Sequence, residues 1–390
     1  MRRLLCALAL AAVLHPAAAR AETVLVLPFF NESKPANLDW IGESIAENIR
    51  EALASEGLLV LDREDRLEGC RRLGLRAGAL LTNASVIKLG EALDAAQVVY
   101  GSYEVSEDAR PGLRIAARVL DLRRIRKGPE YAESGALEDL AALQTRLAWQ
   151  TLQFLAPEAS PSEQQFMEAR PPVRLDAMEN YIRGLLAGSS EQKHRLFTQA
   201  ARLDERFSQP CFQLGKAYWL KKEYRIAAGW LARVRRSDSH YLEAQFLLGL
   251  CRYHTGDFAV AEICFRTVAV SVPLNEVYNN LGAVLSRRGS PAAVENFRKA
   301  LEGDSADPDY RFNLGYALWR AKQFDAAAES FRAALDRNPD DSEAIAFLGR
   351  ALKREDYRAS DARLDGRERL KTNYEETAYR QLKAELERKK

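Results

Sequence analysis

The chain has 390 residues, of which 47% are hydrophobic, and this length allows two domains or one domain followed by a repeat array. It contains 57 Lys and Arg against 55 Asp and Glu, a net charge of +2. This near balance argues against a protein that binds nucleic acid or anionic membrane over its whole surface, although it leaves room for local basic patches.

The first residues have the pattern of a secretory signal peptide. Arg2 and Arg3 form a basic start, residues 4–14 are an apolar run, and residues 19–21 (Ala-Arg-Ala) match the small-x-small site of signal peptidase. The apolar run is shorter than the roughly 20 residues that a membrane-spanning helix needs. We therefore expect residues 1–21 to be a cleaved signal peptide, and the mature protein to be periplasmic, free or associated with the outer membrane.

Residues 22–157 alternate between predicted strands and helices. Apolar or alternating runs bounded by turn residues predict the strands, and apolar residues at helical spacing predict the helices. The predicted elements, in chain order, are a strand over Thr23–Phe29, a helix over Ile41–Ser55, a strand over Leu58–Leu61, a helix over Val86–Leu93, a hairpin of Gln97–Val105 and Leu113–Leu122, an edge strand over Tyr131–Leu137 and a helix over Glu138–Leu155. This order predicts an α/β domain.

Five short phrases stand out within this domain. They are VLPFFNES, IGESI, LLVLDRE, VVYGSY and RIAARVLDL. Together they resemble the TolB amino-terminal-type domain, which often precedes helical repeats in bacterial envelope and signalling proteins. The resemblance covers residues 22–157. It implies contact with a protein partner and a role in assembly, and it provides no catalytic residues.

A basic cluster interrupts the resemblance near the hairpin. Its members are Arg110, Arg114, Arg118, Arg123, Arg124, Arg126 and Lys127. On a strand, Arg114 and Arg118 would share one face. The cluster is either a solvated face of the sheet or a contact with anionic lipid, peptidoglycan or an acidic partner. Contact with nucleic acid is not expected in an exported protein.

Residues 158–175 are rich in proline, which predicts a linker. After this linker, a Leu-Gly pair recurs at nearly constant spacing. The glycines are Gly215, Gly249, Gly282, Gly315 and Gly349, and they lie 34, 33, 33 and 34 residues apart. In most units an Ala follows twelve residues later and an aromatic residue or Leu sixteen residues later. This pattern resembles the tetratricopeptide repeat, whose period is 34 residues. The resemblance implies about five to six helix pairs over residues 176–357, so the expected fold is an α/β domain followed by an all-α superhelix, or α-solenoid.

The two ends of the array depart from the repeat pattern. Residues 177–207 are a shortened match and predict a degenerate first pair. After the last Leu-Gly pair, the sequence becomes highly charged. Terminal repeats need a solvated outer face, so we expect residues 358–390 to form a charged capping helix. A helix that binds a partner is the alternative.

The sequence lacks the motifs of common catalytic sites. It has no Gly-rich phosphate loop and no Gly-x-Ser-x-Gly elbow. His194, His240 and His254 have no recurring ligand partners at metal-binding spacing. We therefore expect neither an enzyme nor a cofactor or metal site.

Export permits disulfides, and three cysteines fall in predicted helices. Cys211, Cys251 and Cys264 are expected to be buried thiols. A disulfide among the three is the alternative, and the sequence does not decide between them.

The repeat register also predicts a binding groove, because tetratricopeptide arrays bind extended peptides along the face made by the first helices of each pair. The predicted groove residues are Phe212, Gln213, Lys216, Trp219, Phe246, Leu250, Tyr253, Asn279, Asn280, Phe312, Asn313, Tyr316, Trp319 and Arg320. Asn280 and Asn313 stand at equivalent positions, and a side-chain amide offers both a donor and an acceptor to a peptide backbone. The alternatives are that this asparagine is only common in the repeat and that the aromatic residues are covered by neighbouring helices.

These features predict a non-catalytic, exported scaffold for protein–protein interaction in cell-envelope assembly or transport. The repeats would bind a segment of one partner, and the α/β domain would contact a second. The alternative is a regulatory protein whose α/β domain binds a small molecule.

Overall fold

The computed structural model of the protein describes residues 23–33, 36–76, 78–106, 110–358 and 363–387. The expected signal peptide, residues 1–21, lies outside these ranges. Among the helices that the structure describes, none is long and apolar enough to cross a membrane.

The amino-terminal domain is built on one mixed sheet. Its strands are β1 (Val24–Val26), β2 (Phe30–Asn31), β3 (Gln97–Val105), β4 (Gly112–Asp121) and β5 (Arg126–Ala136). β1 and β2 both pair with β3 in parallel, while β3, β4 and β5 follow one another in antiparallel order. The predicted hairpin and edge strand are present, whereas the predicted strand Leu58–Leu61 is reduced to one bridge, from Val60 to Val24.

Helices cover both faces of this sheet. α1 (Trp40–Ser55) and α4 (Leu140–Leu155) pack on one face, and α2 (Arg63–Arg72) and α3 (Asn83–Ala92) pack on the other. The sequence analysis missed α2, because its residues are mostly charged. A capping box nevertheless marks its start, where the carboxylates of Asp62 and Asp65 each accept a hydrogen bond from the other residue's backbone amide.

The stretch predicted as a linker, residues 158–175, is folded against the domain. It contains α5 (Glu163–Ala169), which begins with a capping box at Ser162, and Phe166 of this helix is buried in the domain core. Arg170 then forms an ion pair with Glu56 at the end of α1. A helix cap and one buried ring therefore order a stretch whose prolines predict a loose connection.

The repeat array consists, within the described ranges, of five antiparallel helix pairs and one further helix. The helices are α6 (Leu175–Leu186), α7 (Ser190–Leu203), α8 (Gln209–Leu220), α9 (Tyr224–Leu231), α10 (Tyr241–His254), α11 (Phe258–Ser271), α12 (Asn275–Arg287), α13 (Ala292–Gly303), α14 (Pro308–Arg320), α15 (Phe324–Leu335) and α16 (Ser342–Leu352). Each even-numbered helix from α6 to α14 packs on the next, and these even-numbered helices are the first helices of the repeats.

Four of the five Leu-Gly pairs, all but the last, mark close crossings between the two helices of a repeat. A Cβ added at Gly282 would lie 2.8 Å from the ring of Phe297, and one added at Gly315 would lie 2.9 Å from the ring of Phe331. Carbon atoms in favourable contact are about 3.5–4.0 Å apart. Glycine is therefore required for this approach, as the repeat pattern implies.

The first helix pair packs directly on the α/β domain. Tyr181 of α6 and Phe197 of α7 belong to the same hydrophobic core as Ile45 and Ile49 of α1. One side of this pair thus covers the α/β domain instead of another repeat, which explains why its sequence departs from the repeat pattern.

The end of the chain differs from the predicted capping helix over residues 358–390. Residues 363–375 are not helical and enter the concave face of the array, and among the described residues of this stretch helix forms only in α17 (Glu376–Glu387). The outer face of α16 stays open, with Ile345 52% and Leu352 58% exposed. The concave face offers hydrogen-bond partners to the backbone of this segment and ion-pair partners to its charged side chains. A capping helix on the outer face of α16 would not have these partners.

Candidate functional site

The concave face of the array is occupied by residues 364–374, which we call the groove segment. The carbonyl of Leu364 accepts a hydrogen bond from Tyr316 of α14, Lys371 bonds to Asn280 of α12, and Tyr374 packs against Phe246 of α10. The segment therefore runs opposite to the order of the repeats.

Two asparagines hold the backbone of the groove segment. Asn313 donates to the carbonyl of Arg369 and accepts from its amide, with both distances 2.8 Å. Asn280, one repeat earlier, makes the same two bonds to Lys371, again at 2.8 Å. Alternate residues of an extended chain point the same way, so asparagines in successive repeats can bond residues two apart in a segment.

A third asparagine links this pair. Asn279 donates to the carbonyl of Arg369 at 2.8 Å, and its own side-chain oxygen accepts from Asn313 at 2.7 Å. All three asparagines are 0% exposed. Buried amides are costly without partners, and here the groove segment supplies them.

The side chain of Arg369 lies in an acidic and aromatic pocket. Its guanidinium bonds both carboxylate oxygens of Asp341, at 2.6 and 2.8 Å, and reaches Asp309 and Glu343 at 3.3 Å. The guanidinium carbon lies 3.7 Å from the centre of the Phe312 ring, a cation–π distance. Hydrogen bonding to Arg369 lowers the pKa of Asp341.

Lys371 occupies a second acidic pocket next to the first. Its ammonium lies 2.8 Å from Asp307 and 2.8 Å from Asp309. Burial alone would lower the pKa of Lys371, but its hydrogen bonds to these two carboxylates raise that pKa overall. The two pockets share Asp309, so together they fit basic side chains at alternate positions.

Glu368, between these basic residues and the start of the segment, enters a different environment. Its buried carboxylate faces Arg320 at 3.3 Å and accepts a hydrogen bond from Tyr253 at 3.4 Å. Burial raises the pKa of this carboxyl. The groove thus places an acidic side chain beside a cation and a hydroxyl, whereas the two acidic pockets place basic side chains beside carboxylates.

A sharp bend brings the segment into the groove. Gly366 has a left-handed backbone (φ +69°) and lies against Arg287, which pairs with Asp365 at 2.8 Å. Tyr357 also donates to Asp365, at 2.7 Å. Glycine is favoured here because other residues resist this backbone conformation.

After the groove, α17 returns to the α/β domain. Arg380 forms ion pairs with Asp62 and Asp65, the two capping residues of α2. Lys383 donates to the carbonyl of Ser239 at 2.7 Å, and Tyr379 is buried. The groove segment is therefore attached to the protein at both of its ends.

The predicted groove residues divide into three sets. Those that contact the groove segment are Phe246, Tyr253, Asn279, Asn280, Phe312, Asn313, Tyr316 and Arg320. Trp319 donates to the carbonyl of Glu355, just before the segment, and Leu250 is buried in the core of the array. Phe212, Gln213, Lys216 and Trp219 instead line a neighbouring cavity of about 370 Å³, between the α/β domain, α8, α10 and α17.

Charged groups cluster at the boundary between the α/β domain and the repeats, near this cavity. Arg50 pairs with Glu47 at 3.0 Å and with Glu51 at 3.2 Å. Burial raises the pKa of Glu51 to about 8. Burial opposes ionisation of Glu47 as well, but Arg50 and Arg66 lower its pKa overall.

Two members of the predicted basic cluster, Arg114 and Arg118, lie on the part of the sheet that α2 and α3 leave open, while Arg123 and Arg124 lie in the turn between β4 and β5. Arg114 and Arg118 share one face of β4, and the opposite face of that strand packs in the core. Arg118 pairs with Glu130 of β5 at 2.7 Å, and Arg124 approaches Asp121 at 3.9 Å. The positive charge of this face is therefore partly balanced by neighbouring acids.

In the described residues, the four cysteines outside the signal region are buried free thiols. Burial raises the pKa of Cys251 to about 12 and that of Cys264 to about 11, which disfavours the reactive thiolates. A search of the same residues finds no group of three His, Cys, Asp or Glu that could hold a metal ion.

Sequence reasoning missed the acidic pockets and their occupant. Asp307 and Asp341 cap the starts of α14 and α16 and lie 34 residues apart, one repeat period. The recurrence of a capping aspartate was visible in the sequence, as was the Arg-x-Lys pattern of residues 369–371. The predicted groove residues lie in the middle and later part of each first helix. The capping aspartates at the helix starts were therefore not matched with the basic residues Arg369 and Lys371.

Part of the repeat array matches a known family of helical repeats. Residues 212–275 and 283–342 match the family model described as tetratricopeptide repeat, and these ranges overlap the helices α8 to α15, with residues 276–282 of α12 between them. Among curated protein sequences, none matches the chain significantly.

Several solved structures contain a similar array. YrrB, described as a TPR protein with an unusual peptide-binding site, is 20% identical, with 40% of this chain and 82% of that chain covered and a TM-score of 0.36. A structure of MamA is 18% identical, with coverages of 42% and 96% and a TM-score of 0.37. MamA from Desulfovibrio magneticus RS-1 is 21% identical, with coverages of 43% and 95% and a TM-score of 0.37. These values are too low to transfer a ligand or partner to this chain.

The family match and the helix geometry agree over the same residues. The matched family is a helical repeat that serves as an interaction scaffold, and no catalytic family is indicated. The chain therefore consists of an α/β domain followed by a solenoid of tetratricopeptide repeats.

Proposed function

We propose that this protein is an exported, non-catalytic interaction scaffold whose repeat groove binds an extended segment of a protein partner. One observation carries the proposal: Asn280 and Asn313 each make two hydrogen bonds to the backbone of a non-helical segment. Such bonds use atoms common to almost all residues, so the groove is suited to peptides as a class.

Co-purification from crosslinked cells tests the groove. The combined variant Asn280→Ala and Asn313→Ala removes the backbone contacts, whereas Asn338→Ala alters an exposed residue outside the groove. We expect the groove variant to lose a partner that wild type and Asn338→Ala both retain. Equal recovery by all three proteins would remove the groove from the proposal.

The export part of the proposal rests on the first 21 residues of the sequence. Cell fractionation followed by amino-terminal sequencing of the purified protein checks it. We expect a periplasmic protein that begins at Glu22. A cytoplasmic protein that still begins at Met1 would contradict export, and a role in envelope assembly or transport with it.

The α/β domain is proposed to contact a second partner through its open sheet face. Arg114 is exposed there, beside Arg118. Charge reversal by Arg114→Glu and Arg118→Glu is expected to abolish sedimentation with outer membranes or peptidoglycan, or recovery of an acidic protein. Unchanged behaviour in all three assays would mean that this face contacts solvent and does not bind a second partner.

The cavity of about 370 Å³ supports a second candidate function, the binding of a small regulatory molecule. It lies where the α/β domain meets the array, so a ligand there would contact both. A thermal-shift screen with nucleotides and envelope fragments tests it, because a ligand bound only by the folded state raises the unfolding temperature. The variant Trp219→Ala should remove such a shift, and a shift that survives would place the ligand elsewhere.

A further inference from the structure

We propose that the groove segment is an internal competitor, and that the partner displaces it with an extended segment of the pattern acidic-basic-x-basic. This inference rests on the proposed function, because it assumes that the groove binds peptides. It adds the side-chain chemistry of the partner and the mechanism that limits its access.

The asparagine contacts alone give no selectivity, because they involve only backbone atoms of residues 369 and 371. Selectivity must come from the pockets beside them. The pocket of Arg369 combines a bidentate carboxylate, Asp341, with the face of Phe312. This planar and charged arrangement suits a guanidinium.

The electrostatics of the pockets favour basic residues strongly. Asp307, Asp309, Asp341 and Glu343 together surround Arg369 and Lys371. Four carboxylates face these two cations and Arg367, which lies 3.6 Å from Glu343, so the site remains negative even with the segment in place. A segment with acids at these two positions would add repulsion, and a neutral one would leave the carboxylates uncompensated.

The residue before the first basic position meets the opposite demand. Glu368 is buried against Arg320 and Tyr253. A basic side chain there would face Arg320 in a desolvated site. The groove therefore specifies an acid followed directly by a base, with a second base two residues later.

The segment is tethered at both ends, by its connection to α16 and by the packing of α17. A short tether gives a segment an effective concentration on the order of millimolar. A free peptide with the same contacts must therefore compete with an occupant that is always nearby. Weakening the occupant, while the groove walls stay intact, should expose the binding capacity of the groove.

The test uses the full chain and a fluorescent synthetic peptide with the sequence of residues 364–374. Binding is measured by anisotropy for wild type and for the variant Arg369→Ala with Lys371→Ala, which alters the occupant and leaves every groove residue unchanged. A matched control, Lys353→Ala with Arg358→Ala, removes two exposed basic residues upstream of the segment. A second peptide carries Glu in place of both Arg369 and Lys371.

We expect the native peptide to bind the occupant variant at least about tenfold more tightly than wild type or the control, since the internal competitor is weakened. The charge-reversed peptide should not bind. If both peptides bind the variant equally, the groove binds peptides but the proposed pattern is wrong. If the native peptide binds wild type, the occupant variant and the control equally, the groove segment is not an internal competitor. If neither peptide binds the variant, the peptide-binding function itself fails.

A second measurement needs only the wild-type chain, so it does not depend on the folding of a variant. Hydrogen exchange at the amides of Arg369 and Lys371 should accelerate when excess native peptide displaces the segment, and should not respond to the charge-reversed peptide. Unchanged exchange at saturating peptide would overturn displacement. Light scattering completes the test, because a dimer of the occupant variant would show that a second copy, and not a separate partner, fills the groove.

Discussion

The two halves of the concave face use the same helical positions differently. In α12 and α14, the residue two positions before the repeat glycine is Asn280 or Asn313, and each bonds the groove segment. In α8 and α10, Gln213 and Leu247 occupy that position, and both line the cavity. The repeat fixes where these side chains point, and the side chains determine whether the face binds a backbone or encloses a space.

The largest expected effect comes from removing one asparagine of the peptide-binding half. Asn313→Ala leaves the amide of Arg369 and the buried oxygen of Asn279 without their partners. A buried group without its hydrogen bond costs about 1–3 kcal/mol. We expect exchange at the amides of residues 369 and 371 to accelerate on the order of 30- to 100-fold, as 1.4 kcal/mol corresponds to about tenfold.

The equivalent change in the other half is the matched control. Gln213→Ala alters the same repeat position but removes no contact to the groove segment, so exchange at residues 369 and 371 should stay within about twofold of wild type, as for other surface changes. Similar acceleration by both variants would mean that the two halves do not act separately.

A smaller effect is expected from the first acidic pocket. Arg369→Ala removes the bidentate pair with Asp341 and the contact with Phe312, while the backbone contacts remain. Hydrogen bonds between charged groups contribute about 1.5–3 kcal/mol, and partial exposure reduces this value. We expect roughly tenfold faster exchange at residue 371. Arg367→Ala, which removes a longer ion pair of 3.6 Å to Glu343, should change it by less than about threefold.

The sequence predicted the repeats well and their occupant poorly, for physical reasons. The close approach at Gly282 and Gly315 depends on residues within one repeat, so a fixed spacing reveals it. Asn280 and Asn313 were predicted as groove residues for the same reason. Their partners lie 91 and 56 residues away in sequence, and no periodicity connects them.

The same distinction applies to the other differences. The charged composition of residues 358–390 predicts a capping helix, but residues 364–374 bond instead to the concave face, which distant repeats form. In the α/β domain, α2 was missed because its apolar pattern is weak, although the capping aspartate Asp62 was a local signal. Local signals predict elements, whereas contacts between distant segments decide which element occupies a surface.

The acidic pocket of the groove and the boundary with the α/β domain should also respond to pH in opposite directions. The pKa of Asp341 is lowered in the folded state by Arg369, so its stabilising contribution is present above its unfolded pKa and is lost as the pH falls through its folded value. The pKa of Glu51 is raised to about 8 by burial, so its contribution is present below its unfolded pKa and is lost as the pH rises through about 8.

This contrast is tested by thermal unfolding midpoints measured between about pH 3 and pH 9. This is the range set by the reference carboxyl pKa and the raised pKa of Glu51. Asp341→Asn should lower the midpoint at neutral pH and flatten the loss in acid. Because Glu51 loses its proton at a lower pH in the unfolded state, Glu51→Gln should flatten the loss between the unfolded carboxyl pKa and about pH 8, and leave the acid limb unchanged. If Glu51→Gln altered the acid limb instead, the assignment of the two limbs to these two carboxyl groups would be wrong.

The smallest expected effect concerns the contact that joins α17 to the α/β domain. Arg380 pairs with Asp62 and Asp65 at a partly exposed site. Exposed ion pairs contribute about 0–1 kcal/mol, and a single guanidinium serves both carboxylates here, so Arg380→Ala should accelerate exchange in α17 by about fivefold.

A double-mutant cycle with Asp65→Ala separates this pairing from the role of Asp65 in capping α2, because only the pairing contributes to the coupling energy. A coupling clearly above zero, together with tighter binding of the free native peptide by Arg380→Ala, would show that the α/β domain helps to hold the groove segment. A coupling of zero would mean that α17 is held by its buried residues, such as Tyr379, and that the α/β domain has no influence on access to the groove through this ion pair.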